Sequence, residues 1–574
     1  MTPMPIKPRQ PIEPEWQRPK ARPGVVTSTV WLDYATAAGV TANADPVLPV
    51  LGGGRRKNAT LVDLLNTAFN QHVDRVVVCG AFPADGRSWL LPQAGQSAED
   101  FLPGWRAENP HLEGDITGRF THEATGRKLE LRTTKAWFPT YPLTPQQAQW
   151  STLELARIVA AGAKWQGWPL LENPGATGRN LWKALAPKSY GMERLDPEIG
   201  RFIQATSPQG RNEHFVEGPS RCDCGDCLPL IPAGTQIDGF CYVDGRFMYA
   251  GVVTGELGAA PAHWLNAHDA EQLWNSDHYH PARYNVRFTV PAFWEGPGLL
   301  GVKRDANDPE SGWHWPNRPG ATYETWVDVA ELQLAEEWGW SDTPFEILEG
   351  IKLTKTNSLQ PFTRAIFRML DAVDEQWGDK PAAAQVLSSA LKQMYRVTIG
   401  SFSARAPLTT ITTQDPEQIP PSVEHFETLR DPDTGKITGY AYKVATHSND
   451  PDTWHPEIAA RVWALSRVRT LWTPIADPVH GAGKEKRGAL EIPMGQLIGM
   501  QTDAIYTTTI PEWTLPVGTT TPDGHSIGGD DGKNGRLRLK GWLPGPLEAP
   551  ATRADRQLLS SQADSLGLSE TPYA

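Results

Sequence analysis

The chain has little cysteine for its size. Five cysteines in 574 residues are too few for a disulfide scaffold, which points to a reducing, cytoplasmic setting. No apolar run approaches the ~18 residues that a membrane span requires. The opening stretch, MTPMPIKPRQPIEPEWQRPKARPG, lacks the apolar segment of a signal peptide, so residues 1–24 are expected to form a disordered, proline-rich tail. Positive charge is also short: 54 Lys and Arg stand against 66 Asp and Glu, for a net charge of −12. That balance argues against a protein that coats nucleic acid with its whole surface, but it permits a local basic groove. There are no internal repeats. What the chain does have is length and tryptophan. At 574 residues it exceeds what one hydrophobic core supports, so several domains are expected. Its 23 tryptophans read as core and loop anchors, not as a base-stacking array.

Alternation sets the organisation. VVTSTVWLDYATAAGV is strand-like and leads to Asp33. LVDLLNTAFNQHV has helical spacing, and DRVVVCGAF is a buried-strand run. Thr144 before Pro145 predicts the start of a helix through TPQQAQWSTLELARIVAAGAKW. Residues 25–165 therefore read as an α/β domain. Farther on, LQPFTRAIFRMLDAVDEQWGDKPAAAQVLSSALKQMYRVTIGSF predicts two helices, broken at Gly378 and restarted at Pro381. Leu387, Leu391 and Met394 share one face of the second, and Lys392 and Arg396 share another.

Three places offer chemistry. In FCYVDGRFMYAG, Asp244 interrupts an apolar strand five residues before Tyr249, which fits a metal ligand at a strand end or a plain turn aspartate beside Gly245. Lys392 and Arg396 are spaced i, i+4 and repel unless an anion visits, or else they mark a solvated helix face. In GQLIGMQTDAIYTTTIPEW, two apolar runs flank a turn that carries Asp503, with Gln501 where a second acid would complete a metal site; the alternative is a surface turn. A fourth place, RCDCGDC, has Cys222, Cys224 and Cys227 at a spacing compatible with structural zinc, with Cys241 or His214 as a fourth ligand, or it is a loop of free thiols.

Taken in order, these segments resemble family B DNA polymerases, most closely the protein-primed branch of phages and linear plasmids. Asp244-Gly-Arg-Phe-Met-Tyr249 resembles the first palm motif, D-x-x-S-L-Y. KQMYRVTIG resembles the finger motif, with Lys392 and Gly400 matching and Arg396 and Ile399 departing. QTDA resembles the second palm motif, D-T-D-S, with Asp503 kept and the first acid replaced by Gln501. ATSPQGRNEHF, with Gly210 and Arg211, resembles the linker ahead of the palm. Glu331-Leu332 resembles a pair between the palm motifs, and RLKGW, with Lys540, resembles the primer-touching K-x-Y motif.

The resemblance implies a mixed α/β and α+β multidomain fold: an RNase H-like, exonuclease-type domain followed by a right-hand polymerase with palm, fingers and thumb. It implies DNA primer-template and deoxynucleotides as partners, and in this branch a terminal priming protein, for which the intervals 251–360 and 401–495 could hold insertions. It implies two Mg²⁺ or Mn²⁺ ions at Asp244 and Asp503, and nucleotide contacts from Tyr249, Lys392, Arg396 and Arg368. DNA contacts are implied at Gly210, Arg211, Gly400 and Lys540. The exonuclease pattern is stripped. D-x-E becomes Asp33-Tyr34-Ala35, Gly80 replaces an asparagine with Asp85 beyond it, and Trp150 to Glu154 stands for Y-x-x-x-D. Proofreading is therefore expected to be lost. The expected layout is exonuclease-like 25–165, linker and first palm part 166–350, fingers 351–400, second palm part 401–510, thumb-like 511–550 and a polar tail 551–574. The function implied is template-directed DNA synthesis on a 3′-hydroxyl, with a catalytically retired, DNA-binding polymerase relative as the alternative.

Overall fold

Thr29–Asp33, apolar and β-branched, forms the first strand of the computed structural model and is buried along almost its whole length. The structure describes residues 28–52, 58–80, 102–107, 118–164, 169–171, 173–186, 193–305, 312–404, 408–419, 426–430, 437–445, 453–477, 485–521, 523–569 and 571. The expected tail over 1–24 and Asp85 lie outside them. The chain divides into two units, 1–186 with 361–398, and 187–360 with 399–574. This partition differs from the expected one. Residues 166–186 stay with the first unit, and the helices expected as separate fingers are grouped with it as far as Thr398.

In the first unit, a seven-stranded sheet runs in the order Pro46–Val47, Gly39–Thr41, Thr29–Asp33, Arg75–Cys79, Lys128–Thr133, Gly118–His122, Trp105–Ala107. The middle three strands are parallel, which requires crossovers. One crossover holds helix Leu61–Asn70, started by a capping box between Thr60 and Asp63. Val30, Leu32, Leu64, Leu65, Val76, Val78 and Leu131 make the core between this helix and the sheet. Thr144 caps Pro145–Ala163 as expected, reinforced by Gln147. Helices Gln360–Trp377 and Pro381–Phe402 part at Gly378 and restart at Pro381, also as expected. They join this unit through aromatic contacts: Trp377 meets Trp150 edge to face at 4.7 Å and donates to Glu154 at 3.0 Å.

The second unit is built on a five-stranded sheet. Its order is Leu537–Glu548, Gln236–Gly245, Ala504–Thr507, Leu497–Gln501, Asn212–His214, and every pairing is antiparallel. Within the intervals expected to hold insertions lie a four-stranded antiparallel sheet, drawn from Leu257–Asn266, Ala282–Thr289, Thr322–Asp328 and Phe345–Thr356, and a three-stranded one from Leu408–Thr413, Phe426–Arg430 and Ile437–Ala445. The C-terminal segments join this sheet. The thumb-like stretch 511–550 contributes Leu537–Glu548 to the five-stranded sheet, because its apolar positions pair against the buried strand Gln236–Gly245. The supposed polar tail forms helix Arg553–Leu566, capped by Thr552 and Asp555. It places Ala563 in one core cluster with Phe240 and Tyr506, with Leu559 packed against that cluster. Among the described residues no helix is long and apolar enough to cross a membrane.

Candidate active site

Asp244 sits, half-buried, near the end of strand Gln236–Gly245, between the buried Val243 and Gly245. Register brings the second acid to it. Asp244 pairs with Ala504, and the hairpin from Gln501 to Ala504 turns on two residues, Thr502 and Asp503. Asp503 therefore lies at the same edge, and its carbonyl accepts from Gly245 N at 3.1 Å. A Cβ on Gly245 would fall 2.9 Å from Asp503 Oδ2 and 2.7 Å from Met248 Cε. A side chain at 245 would push both of these side chains aside, the carboxylate included.

The tip of the hairpin is strained. Thr502 has φ +59°, a left-handed conformation that costs a β-branched residue about 1–2 kcal/mol. Such strain persists where the surroundings over-determine it. Thr502 N donates to Arg211 O at 2.7 Å, Thr470 Oγ1 donates to Thr502 O at 3.4 Å, and Gly210 lies directly against the Thr502 side chain. The segment ahead of Arg211 is fixed in turn. Arg467, on buried helix Pro456–Leu471, donates to Pro208 O and to Gln209 O, and it pairs with Glu331 at 2.8 Å. Glu331 also closes the capping box of helix Val329–Glu337 with Asp328. The expected Glu331-Leu332 pair is thus a packing and capping device that reaches the acid hairpin through Arg467.

Arg211 does not serve as an outward DNA contact. It is 1% exposed, pairs with Glu213, donates to Gly298 O at 2.8 Å and lies 4.9 Å from the Trp315 ring centre. Burial lowers its pKa from the ordinary arginine value, and the Glu213 carboxylate opposes that shift. Its role here is to hold a strand edge, and its carbonyl is what touches the hairpin.

Lys540 comes to Asp244 through a bulge. Leu539 pairs with Val243 and Gly541 with Tyr242, leaving Lys540 as the extra residue. A bulge re-aims a side chain in this way. Lys540 Nζ lies 3.9 Å from Asp244 Oδ2, 3.4 Å from Asp564 Oδ2 and 4.9 Å from the Tyr242 ring centre. The Tyr242 phenol is pushed well above its usual range by burial first, then by Asp244, Tyr506, Asp564 and Asp503. Asp564 was missed because 551–574 read as tail; the signal present in the sequence was the Thr552-x-x-Asp555 capping pattern followed by Gly567. Gln501, at the foot of the hairpin, accepts from Tyr506 OH at 3.3 Å. Tyr249 rides on the short helix Met248–Val252, which is locked by Arg246 N to Arg536 O at 2.7 Å and by Arg246 to Asp530 at 2.7 Å.

In the first unit, Lys392 and Arg396 are both exposed on helix Pro381–Phe402, opposite buried Leu387, Leu391, Met394 and Tyr395. Arg396 donates to Gln393 Oε1 at 2.8 Å. Arg368 is exposed and donates to Gly162 O at 3.3 Å. Gly400 lies in the last turn of the same helix as Lys392, with open space where a Cβ would sit. Asp33 closes its own turn by accepting from Ala35 N and Thr36 N at 3.1 and 2.9 Å. Glu154 is taken up by Arg157 and Trp377.

Two oxygen-only carboxylates at a strand edge suit a hard divalent cation such as Mg²⁺, which takes one or two carboxylates and completes its shell from water and phosphate. The Cys222, Cys224 and Cys227 thiols converge on His314, not on the expected Cys241 or His214. Cys241 is buried inside its strand and faces Thr507, while His214 is buried beside Arg556.

No protein-family model matches the sequence, and no curated protein matches it. Among solved structures, Phi29 DNA polymerase in complex with primer-template DNA and incoming nucleotides aligns at 10% identity and a TM-score of 0.49, over 90% of this chain and 87% of that one. An orthorhombic crystal form of Phi29 DNA polymerase aligns at 10% identity and 0.49, over 92% and 94%. The binary complex with primer-template DNA aligns at 9% identity and 0.49, over 91% and 86%.

Proposed function

We propose that this protein is a template-directed DNA polymerase that extends a 3′-hydroxyl with deoxynucleotides and has lost proofreading. The observation that carries the reading is the placement of Asp503, on a strained two-residue hairpin tip, beside Asp244 on the neighbouring strand. In this reading the five-stranded antiparallel sheet is the palm. The mixed sheet of the first unit, with three parallel strands at its centre, is an RNase H-like domain without its acids.

Asp244 and Asp503 would hold the divalent cations, which when bound neutralise triphosphate charge and acidify the attacking hydroxyl. Tyr249 is assigned to the sugar of the incoming nucleotide, on a platform fixed by the Arg246 ion pair. Lys392 and Arg396 are assigned to the triphosphate as exposed cations on one helix face, with Arg368 beside them in role. Lys540, held near Asp244, is assigned to the primer strand, and Gly210 and Gly400 to positions where backbone meets DNA. The absence of hydrolytic editing is supported by Asp33, whose Oδ1 accepts from its own turn, and by Glu154, which is paired with Arg157.

Primer extension on a primed DNA template with Mg²⁺ or Mn²⁺ tests the reading. Synthesis by the wild type that disappears in Asp244→Asn and in Asp503→Asn is the expected result. No synthesis by the wild type in either metal, with primer-template still bound, would assign the chain to DNA binding instead.

A further inference from the structure

We propose that Cys222, Cys224, Cys227 and His314 hold one structural Zn²⁺ ion that fastens the segment ahead of the palm strand to the loop carrying Trp315. The proposal stands apart from the polymerase reading, and either can fail without the other.

The geometry is that of a closed site. One ligand atom from each of the four side chains lies within 4.8 Å of every other, and Cys222 Sγ is 4.0 Å from His314 Nδ1. Four ligands around tetrahedral zinc, at about 2.3 Å for sulfur and 2.0 Å for nitrogen, stand roughly 3.5–3.8 Å apart. A small contraction brings the four to those distances. Two elements supply the donors: the C-x-C-x-x-C loop turns at Gly225, which has φ +84°, and His314 ends the strand Trp313–His314. His314 is 7% exposed, and its Nε2 finds no hydrogen-bond partner among the described residues. The thiols are not consumed by disulfides, since all five cysteines are free.

The surroundings are built for such an ion. Three thiolates and one imidazole around a dication leave one net negative charge, and Arg304 donates to Cys222 Sγ at 3.3 Å, where it offsets that charge. The two elements are already stitched together around the cluster. Asn317 N and Arg318 N donate to Asp226 O at 2.9 and 3.1 Å, Asn317 Oδ1 accepts from Leu228 N at 2.6 Å, and Tyr323 OH donates to Asp226 Oδ2 at 2.5 Å. His314 is followed by Trp315, which lies under the Arg211 guanidinium, and the Arg211 carbonyl holds Thr502. Zinc here braces the scaffold of the acid hairpin without touching the reacting groups.

The test is zinc content of the full-length protein, purified without chelator and measured by inductively coupled plasma mass spectrometry. About one equivalent is expected, with loss of at least half of it in Cys224→Ser and full retention in His263→Ala, an exposed histidine away from the cluster. Protein grown with Co²⁺ in place of zinc should show the visible absorption of a tetrahedral, thiolate-rich site; this readout needs no variant and stays decisive if Cys224→Ser does not fold. Less than half an equivalent of zinc in the wild type, or a cobalt spectrum without thiolate bands, overturns the proposal.

Discussion

At the scale of single residues, the site depends on where two carboxylates are aimed. Asp244→Asn and Asp503→Asn remove charge and leave shape. A metal-held charge is worth several kcal/mol in the transition state, so each change is expected to lower primer extension by about a hundredfold or more. Primer-template affinity, read by anisotropy, should stay near wild type in both. A variant that loses binding and synthesis together would mean that the acid is structural. Gly251 gives a prediction of the opposite kind. A Cβ there would meet the Gly535 backbone at 2.4 Å, and backbone does not move aside as a flexible side chain does. Gly251→Ala is expected to cost about 1–3 kcal/mol of stability, measured by urea unfolding, and to disturb the helix that carries Tyr249. Asp244, Tyr249 and Asp503 stood out in the sequence because acids and aromatics at fixed offsets interrupt apolar runs. Their supports did not stand out, since Thr502 reads as an ordinary turn threonine until its backbone angle is known.

Among the elements, helix Pro456–Leu471 carries the support of the hairpin. Its Arg467 joins Glu331, Pro208 and Gln209 in a place closed to solvent. Removing one partner of a buried ion pair strands the other, at a cost of about 3–5 kcal/mol. Arg467→Met should therefore be strongly destabilising in urea unfolding. The double variant Glu331→Gln with Arg467→Met should recover most of the loss, because no charge is then left alone. Equal damage in the single and double variants would show that packing, not charge, is at stake. Nothing in the sequence separates a buried arginine from a solvated one on this helix, because its apolar and polar residues are mixed around its circumference. The caps at Thr60, Thr144 and Thr552, by contrast, are local chemistry and can be read from four consecutive residues.

For the whole molecule, the C-terminal helix and one histidine decide how stability responds. Deleting 551–574 uncovers Phe240 and Tyr506 and takes Asp564 away from Lys540. The truncated protein is expected to aggregate or to unfold at markedly lower urea than the full chain. His214 has its pKa lowered from 6.5 to about 4 by burial first and by Arg556 second. Its folded value lies below the unfolded one, so its full contribution is present above pH 6.5. As pH falls from there toward 4, the unfolded chain takes up the proton first and stability declines, by up to about 1.4 kcal/mol per pH unit. Urea midpoints at pH 7 and pH 5 should diverge more for the wild type than for His214→Gln.

By itself the sequence determined strands such as Thr29–Asp33, the helix start at Thr144, the break between Gly378 and Pro381 and the cysteine loop, and it singled out Asp244 and Asp503. Each of these follows from residues close together in the chain. Only the tertiary structure decided that Lys540 reaches Asp244, that His314 and not Cys241 or His214 completes the cysteine cluster, that Arg211 faces inward, and that the last stretch packs on the sheet. The physical reason is that these depend on strand register, on one bulge and on burial between segments far apart in the chain, from Cys222 and His314, 92 residues apart, to Lys540 and Asp244, and within a strand a one-residue change of register turns a side chain to the other face.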